Sequence, residues 1–367
     1  MLHNQLLSRI SNKIIESSKL LATGDILAFI EAFLVQEVFC RQKMEEIEIR
    51  PASMGDYDAV VELSRATYED KGDEDHDCIP SRFNGWLTEP KRAVFVAQID
   101  GRIVGLRTFA IVNDGRSSAC DVEKIHPQFR RQGLQIKMVE ASRNFIRKNY
   151  PNVARELFYA PKKFYASRQE LFADQMLFKQ DMIAYHLDLE NFDKERLNEV
   201  ANSLALEVRP CTKEEFADEI LSIAGKLFPN EIFTMDGQVL EASFANKSAM
   251  LKDGDMPLVD SNEDESEPFK SYSHGRISAR SKSLHWECYI YTKSYILFQV
   301  HLLGQVKCAS EALADAKNTV KSVIVIHFLS DSRLVSYGRK LLEGILGFKP
   351  CDPLNMKQEY VHEESLE

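Results

Sequence analysis

The sequence predicts an α/β (α+β) fold made of two similar units in tandem behind an N-terminal helical arm. Strand-type and helix-type patterns alternate along most of the chain from residue 47. The sequence EIRP at 48–51, followed by a helix-capping pattern, recurs as EVRP at 207–210, again followed by a capping pattern. The length of 367 residues also fits two domains better than one.

Composition and charge exclude several classes of protein. Hydrophobic residues make up 44% and charged residues 28% of the chain, which is typical of globular proteins. The net charge of −10 opposes binding to phosphate backbones, so nucleic acid is not expected as a partner. No apolar run approaches the roughly 20 residues that a membrane span requires. The 7 cysteines include no C-x-x-C pair, so we expect no metal site and a reducing, cytoplasmic location.

The predicted elements begin with the arm, residues 1–45, in which apolar residues at helical spacing predict an amphipathic helix over 25–42. A short strand follows at residue 47, and the capping box Ser53-x-x-Asp56 begins a helix that ends near Tyr68. Pro80 is a favourable first residue for a second, short helix. Two helices are therefore expected before the main strands.

The main strands of the first unit begin with a hairpin. Residues 93–99 and 103–112 are rich in β-branched and apolar residues, and Asp100-Gly101 between them is a type I′ turn signal. We then expect a strand at 118–125, a helix at 130–149, a strand at 155–160, a helix at 165–172 and closing strands over 178–189. A first domain is therefore predicted at residues 46–190.

The second predicted domain covers residues 205–350. Its strands are expected at 285–291, 295–303 and 322–328, and its last helix at 336–346. An acidic stretch at residues 253–275 interrupts this domain and is predicted to be a disordered insertion.

The segment 122–135 carries the strongest indication of a binding site. It is a strand, a turn with Pro127, and a basic helix start with Gly133. Backbone N–H groups at a helix N-terminus are unpaired and carry partial positive charge, so they can bind a pyrophosphate where no bulky Cβ intervenes. The basic residues in and after this segment are Lys124, Arg130, Arg131, Lys137, Arg143, Arg147 and Lys148. A polyanionic cofactor is expected here.

This segment resembles the acetyl-CoA signature of the GNAT N-acetyltransferases, in which Arg or Gln precedes a Gly and then a Gly or Ala. Here the positions are Arg130, Gly133 and Gln135. Gln135 departs from the pattern, and its side chain either points aside, donates to phosphate or weakens cofactor binding. Arg131 stands where Gly is common. The resemblance implies acetyl-CoA as co-substrate, held by Ile125, Arg130, Arg131, Gln132, Gly133, Leu134 and Gln135.

The order of elements implies one complete GNAT unit at 46–190 and a degenerate second unit without the phosphate signature. Three segments of the first unit, 50–60, 79–87 and 179–183, resemble the histidine N-acetyltransferase group of this family. This narrower resemblance implies that the acceptor is the α-amine of a free amino acid, with histidine favoured.

Direct acetyl transfer requires a neutral amine, a base to accept its proton, and N–H donors for the developing oxyanion. Asp121 and Glu123 are two apart on the strand before the phosphate loop, so we expect both on one face and one of them as the base. The resemblance makes Tyr165 the candidate acid. The predicted walls of the acceptor site are Tyr57, Arg82, Phe83 and Trp86, and Arg82 could pair with a substrate carboxylate.

Two alternatives remain at this stage. The acidic stretch 253–275 would suit a cationic acceptor, such as a polyamine or a protein amine. The chain could also be a non-catalytic binding protein in which Gln135 blocks the pyrophosphate. The sequence does not predict an oligomeric state.

Overall fold

A computed structural model describes residues 47–68, 74–161, 173–188, 191–235, 237–261, 268–314, 321–328, 333–351 and 358–366. The predicted N-terminal arm lies outside these residues. The predicted helix at 165–172 also lies outside them.

The first half of the chain contains six strands and three helices among the described residues. Their bounds are β1 Glu48–Pro51, α1 Tyr57–Tyr68, α2 Ile79–Thr88, β2 Arg92–Ile99, β3 Arg102–Val112, β4 Ser117–Ile125, α3 Leu134–Asn149, β5 Arg155–Pro161 and β6 Met176–His186. The predicted hairpin is confirmed as β2–β3. Its turn has φ 49° at Asp100 and 78° at Gly101, as a type I′ turn requires.

The second half has a similar order of elements. The bounds are α4 Lys194–Asn202, β7 Val208–Pro210, α5 Lys213–Glu215, α6 Ala224–Leu227, β8 Ile232–Met235, β9 Gln238–Glu241, α7 Lys247–Met250, β10 Met256–Asp260, β11 Tyr272–Ala279, β12 Ser283–Tyr291, α8 Tyr295–Ala312, β13 Lys321–Phe328, α9 Arg333–Arg339, β14 Lys349–Cys351 and β15 Gln358–Ser365. Helical turns continue α5 through 216–223 and α9 through 340–345.

The predicted strand at 295–303 is wrong, because these residues begin helix α8. The Ser294 side chain caps the helix by accepting the Leu297 N–H at 3.4 Å. Phe298, Val300 and Leu303, which lie on different sides of the helix, are all buried. A helix that is buried on most sides loses the polar stripe that distinguishes it from a buried strand.

The prediction of a disordered insertion at 253–275 is also wrong where the structure describes it. Residues 256–260 form β10 and residues 272–275 begin β11. Two of the acidic groups are buried and paired: Asp255 pairs with Arg276 at 2.6 Å, and Asp260 accepts the Ser271 N–H at 2.8 Å. Charge density alone therefore misled the prediction. Residues 262–267 lie outside the described part.

One 13-stranded sheet runs through both halves of the described structure. Its main strand order is β1-β2-β3-β4-β5-β15-β6-β13-β12-β11-β10-β7, with β14 beside β6. The units exchange strands. Strand β15, from the end of the second unit, lies between β5 and β6 of the first, while β6 extends into the second unit to pair with β13 and β14.

Helices cover both faces of this sheet. Helices α1 and α2 pack on one face, around Val60, Phe83 and Leu106, and α3 packs on the other, around Leu134 and Met138. In the second unit, α8 and α9 form a core with β12 and β13, and the helical turns at 213–227 cover the opposite face. No helix among the described residues is both long and apolar enough to cross a membrane.

The sequence repeat corresponds to the same local structure in both units. Arg50 donates to Asp56 at 2.8 Å, and Arg209 pairs with Glu215 at 2.6 Å. Each carboxylate also closes a capping box at the start of a helix. Hydrogen bonding to the arginine is the main reason that the pKa of each carboxyl falls to about 2.

Candidate active site

An open wedge between β4 and β5 is the main feature of the first unit. These parallel strands pair only from Ser117 to Cys120 on β4, against Arg155 to Phe158 on β5. Beyond Cys120, β4 continues to Ile125 and remains paired with β3 on its other side. The backbone groups of residues 121–125 that face β5 therefore have no strand partner among the described residues.

Among the residues that the structure describes, the second unit has no such opening at the corresponding place. Strands β12 and β13 are also parallel, but they stay paired from Ser283 opposite Lys321 to Ile290 opposite Phe328. A closed pair offers no backbone edge to a ligand. The two units therefore differ in the feature that could accept an extended, amide-containing molecule.

The wedge leads to the N-terminus of α3, where the first backbone N–H groups have no acceptor within the helix. Gly133 is the N-cap residue, and no side chain caps the helix. The first helical bond runs from Lys137 N–H to the Gly133 carbonyl at 3.2 Å, so the three N–H groups of residues 134–136 have no helical acceptor. These donors and the positive end of the helix dipole suit a phosphate.

Two residues of this loop adopt left-handed backbone conformations, Arg131 with φ 63° and Gly133 with φ 89°. Gly133 adopts this conformation without strain because it has no Cβ, and the space that a Cβ would occupy is open. Arg131 takes the same region with a side chain, which costs energy that a glycine would avoid. This geometry gives a physical reason for the small residues of the resembling signature.

The predicted cofactor residues have different environments. Arg130 and Arg131 are exposed, Gln132 donates to the Gln128 carbonyl at 2.7 Å, and Ile125 is partly buried against the α3 core. The side chain of Leu134 is wholly buried, so only its N–H group can face a ligand.

The Gln135 side chain hydrogen-bonds to the Glu123 carboxylate. Its amide is therefore directed to β4, one of the three arrangements that the sequence left open. A side chain held in this way does not extend from the helix end into solvent.

The expectation that Asp121 and Glu123 share a face of β4 is wrong. A bulge shifts the β3–β4 register, so that Thr108 pairs with Val122 and Phe109 with Cys120. Asp121 is the extra residue, and it breaks the alternation of side chains. Asp121 thus faces α1 and α2, and Glu123 faces α3.

Asp121 forms a buried ion pair with Arg92. Its Oδ1 atom is buried and has no hydrogen-bond partner in the described part of the chain. Burial raises the pKa of Asp121, and the neighbouring Arg92 opposes that shift. Asp121 is therefore a carboxyl group with one fixed oxygen and one oxygen able to take a proton or a ligand.

Glu123 belongs to a denser network. Its carboxylate pairs with Arg107, which also pairs with Glu156 on β5 and donates to Ser142 on α3 at 3.0 Å. Burial raises the pKa of Glu123, while Arg107 and Gln135 lower it. The network connects three strands, β3, β4 and β5, to α3, so its main effect is to hold these elements together.

The residues predicted to wall the acceptor site have two kinds of environment. Phe83 is wholly buried and Trp86 is 6% exposed, so both form the core beneath α2. The Tyr57 hydroxyl donates to the Pro80 carbonyl at 3.1 Å. Arg82 lies outside this core and donates to Ser278 on β11 at 2.6 Å. Its positive charge lowers the pKa of Asp121, against the effect of burial. Tyr165 lies outside the described residues.

Sequence reasoning missed the polar groups at the junction of the units. Within the described residues, Gln180, Glu287 and His327 are buried, and Glu359 is half-buried, on the face of the sheet that carries Asp121. A charged or imidazole side chain inside an apolar strand such as SVIVIHF was the available signal. No group of three or more His, Cys, Asp or Glu side chains among the described residues is arranged to hold a metal ion.

Known sequences of one enzyme group are similar to this chain. The family described as "Histidine N-acetyltransferase, C-terminal" matches residues 203–327. The histidine N-acetyltransferase of Xenopus tropicalis is 23% identical over 214 residues, which cover 56% of this chain and 64% of the relative. That of Oreochromis niloticus is 22% identical over 222 residues, covering 56% and 63%. The matched region is thus slightly under two thirds of each relative.

Solved structures resemble the whole described architecture. A GCN5-related N-acetyltransferase from Sphaerobacter thermophilus aligns with TM-score 0.55 and 11% identity, covering 88% of this chain and 96% of its own. A tandem GNAT protein from the clavulanic acid biosynthesis pathway aligns with TM-score 0.52 and 15% identity, covering 88% and 99%. The chain has the tandem GNAT fold. The predicted fold class and the resemblance to histidine N-acetyltransferases are both confirmed.

Proposed function

We propose that this tandem GNAT protein is an acetyl-CoA-dependent N-acetyltransferase that acts on the amine of a small molecule, a free amino acid such as histidine. The open wedge of the first unit, which ends at the uncapped N-terminus of α3, is the observation that carries this proposal. The named relatives and the GNAT fold support it.

The chain's own groups fit acetyl-CoA. The N–H groups of residues 134–136 have no acceptor within α3 and suit the pyrophosphate, and the exposed Arg130 and Arg131 add positive charge beside it. The edge of residues 121–125, which has no strand partner among the described residues, suits the amides of the pantetheine arm, as a strand edge suits a peptide. Backbone N–H groups on this edge are also candidate donors to a carbonyl that becomes an oxyanion.

In the proposed reaction the amine loses a proton to Asp121 and its nitrogen attacks the thioester carbon. The new N–C bond forms as the C–S bond breaks, and the thiolate takes up a proton. Asp121 is the better base candidate, because its Oδ1 is unpaired and burial raises its pKa, whereas Glu123 faces α3. Tyr165 remains the proposed acid on resemblance alone.

The alternatives have less support. The idea of a cationic acceptor relied on an acidic disordered insertion, and part of that stretch forms β10 and β11. The binding-protein alternative required Gln135 to block the phosphate, and its side chain bonds to Glu123 instead.

Calorimetric titration with acetyl-CoA tests the proposal. We expect micromolar binding, lost in Gly133→Trp and retained in the matched variant Gly254→Trp. Both glycines are exposed, have φ near 90° and have open space around them, but Gly254 lies in a turn of the second unit. Native protein that binds no acetyl-CoA would contradict the proposal. Binding would be followed by assays of amino acids as acceptors, with histidine first.

A further inference from the structure

The strand exchange places polar side chains from both units on one face of the sheet. Paired strands β5, β15, β6 and β13 bring together Tyr159, Glu359, Gln180 and His327. Residues paired across strands, or two apart along one strand, share a face, and this face also carries Asp121. A polar strip therefore leads from the wedge into the second unit.

His327 is the most informative member of the strip. Its side chain is 5% exposed, and its Nε2 lies 2.9 Å from a Glu287 carboxylate oxygen. The Tyr289 ring stacks on the imidazole at 3.9 Å between centroids. Its Nδ1 atom has no hydrogen-bond partner among the described residues. A buried polar atom of this kind is costly unless a ligand or water pairs with it.

Glu287 fixes the role of that free nitrogen. Arg280 donates to Glu287 at 2.8 Å, and hydrogen bonds from His285 and His327 help to hold the pKa of this buried carboxyl well below its usual range, against the effect of burial. An ionised Glu287 requires a donor at His327 Nε2. Neutral His327 then presents Nδ1 as an acceptor.

Glu359 is the second informative member of the polar strip. It lies half-buried on the exchanged strand, and Gln180 donates to it at 2.6 Å. Burial raises the pKa of its carboxyl group. Burial raises the pKa of the Tyr159 hydroxyl well above its usual range, and the charges of Glu359 and Asp121 raise it further. Glu359 thus lies between the proposed base and His327.

We propose that His327 and Glu359 form the subsite for the acceptor's side chain, and that this subsite selects amino acids whose side chains carry N–H donors, such as an imidazole. The inference rests on the proposed function. Strands lie about 4.8 Å apart, so Glu359 is one spacing and His327 three spacings from β5, roughly 5 and 14 Å. Glu359 is therefore the nearer of the two groups to the wedge, and His327 marks the end of the subsite that lies in the second unit.

Steady-state kinetics with histidine and leucine as acceptors test the subsite. His327→Gln keeps a donor toward Glu287 and removes the Nδ1 acceptor, and Glu359→Gln removes the acid while keeping its shape. We expect kcat/KM for histidine to fall about tenfold or more in each variant, with less than a threefold change for leucine.

The matched control is His301→Gln. His301 is equally buried but lies on α8, with its nitrogens 2.8 Å from Ser273 and Ser271. We expect it to leave the ratio of histidine to leucine activity unchanged. Unchanged ratios in both His327→Gln and Glu359→Gln, with acetyl-CoA binding and urea stability retained, would overturn the subsite but leave the acetyltransferase proposal intact. Native protein without acetyl-CoA binding would overturn both.

Discussion

Replacing Asp121 with Asn tests the proposed base directly. The substitution keeps the size of the side chain but removes the proton-accepting carboxylate, and loss of a general base costs about 10²- to 10⁴-fold in rate. It also leaves Arg92, whose side chain is 1% exposed, without its buried counter-charge, because the other partner, Glu89, is exposed. Breaking such a pair costs about 3–5 kcal/mol, and we expect the lower end because Glu89 still pairs with Arg92 at 2.6 Å.

The assay measures kcat/KM against pH, acetyl-CoA affinity, and the free energy of unfolding in urea. The base must be ionised to accept a proton, so native activity should rise with pH through the raised pKa of Asp121, and Asp121→Asn should lack that rise. Acetyl-CoA affinity should stay within threefold of native.

Glu123→Gln is the matched control on the opposite face of β4. It disturbs the ion pair with Arg107, which keeps Glu156, so a similar loss of stability is expected with less than a tenfold loss of activity. The reasoning fails if Glu123→Gln loses as much activity as Asp121→Asn, or if Asp121→Asn keeps more than a tenth of native activity.

The remaining predictions concern stability. Val361→Ala on β15 should cost about 2–3 kcal/mol, because the side chain is wholly buried between strands of both units. Calorimetry should show a single unfolding transition shifted to lower temperature, and two separate transitions would contradict this. The control Val61→Ala on α1, where the side chain is only partly buried, should change the transition little. Asp56 and Glu215, with pKa values lowered to about 2, stabilise the fold above their unfolded pKa values of 3.8 and 4.5. That stability, on the order of 1 kcal/mol each, should be lost as pH falls from about 4.5 to 2, and Asp56→Asn with Glu215→Gln should flatten the urea stability profile there. Arg131→Gly should stabilise the protein by up to about 1 kcal/mol by relieving the left-handed backbone, and a lower urea midpoint would contradict that.

Local signals allowed much of the first unit to be predicted. Asp100-Gly101 predicted the hairpin turn, and the segment with Gly133 predicted a basic helix start, where the structure begins α3 at Leu134. The bulge at Asp121 was not predictable, because it arises from the register between two strands rather than from the residues beside it. A period-2 pattern therefore placed the two carboxylates on one face when they lie on opposite faces.

The pairing of strands that are far apart in the chain could not be predicted from the sequence either. Nothing in the residues 358–365 indicates that they pair with β5 and β6, about two hundred residues earlier in the chain. The junction groups His327 and Glu359 come onto one face of one sheet only through that pairing. The sequence could suggest the phosphate loop, which is local, but not the proposed side-chain subsite, which is assembled from distant strands.

The exchanged strand also constrains how the protein is made. During synthesis the first unit leaves the ribosome while β15, the strand that fills the gap between β5 and β6, has not yet been translated. Until residue 365 is available, the facing edges of those two strands remain without their final partner and are open to wrong pairing. The first unit, which carries the candidate site, therefore reaches its final structure only after the second unit has been synthesised.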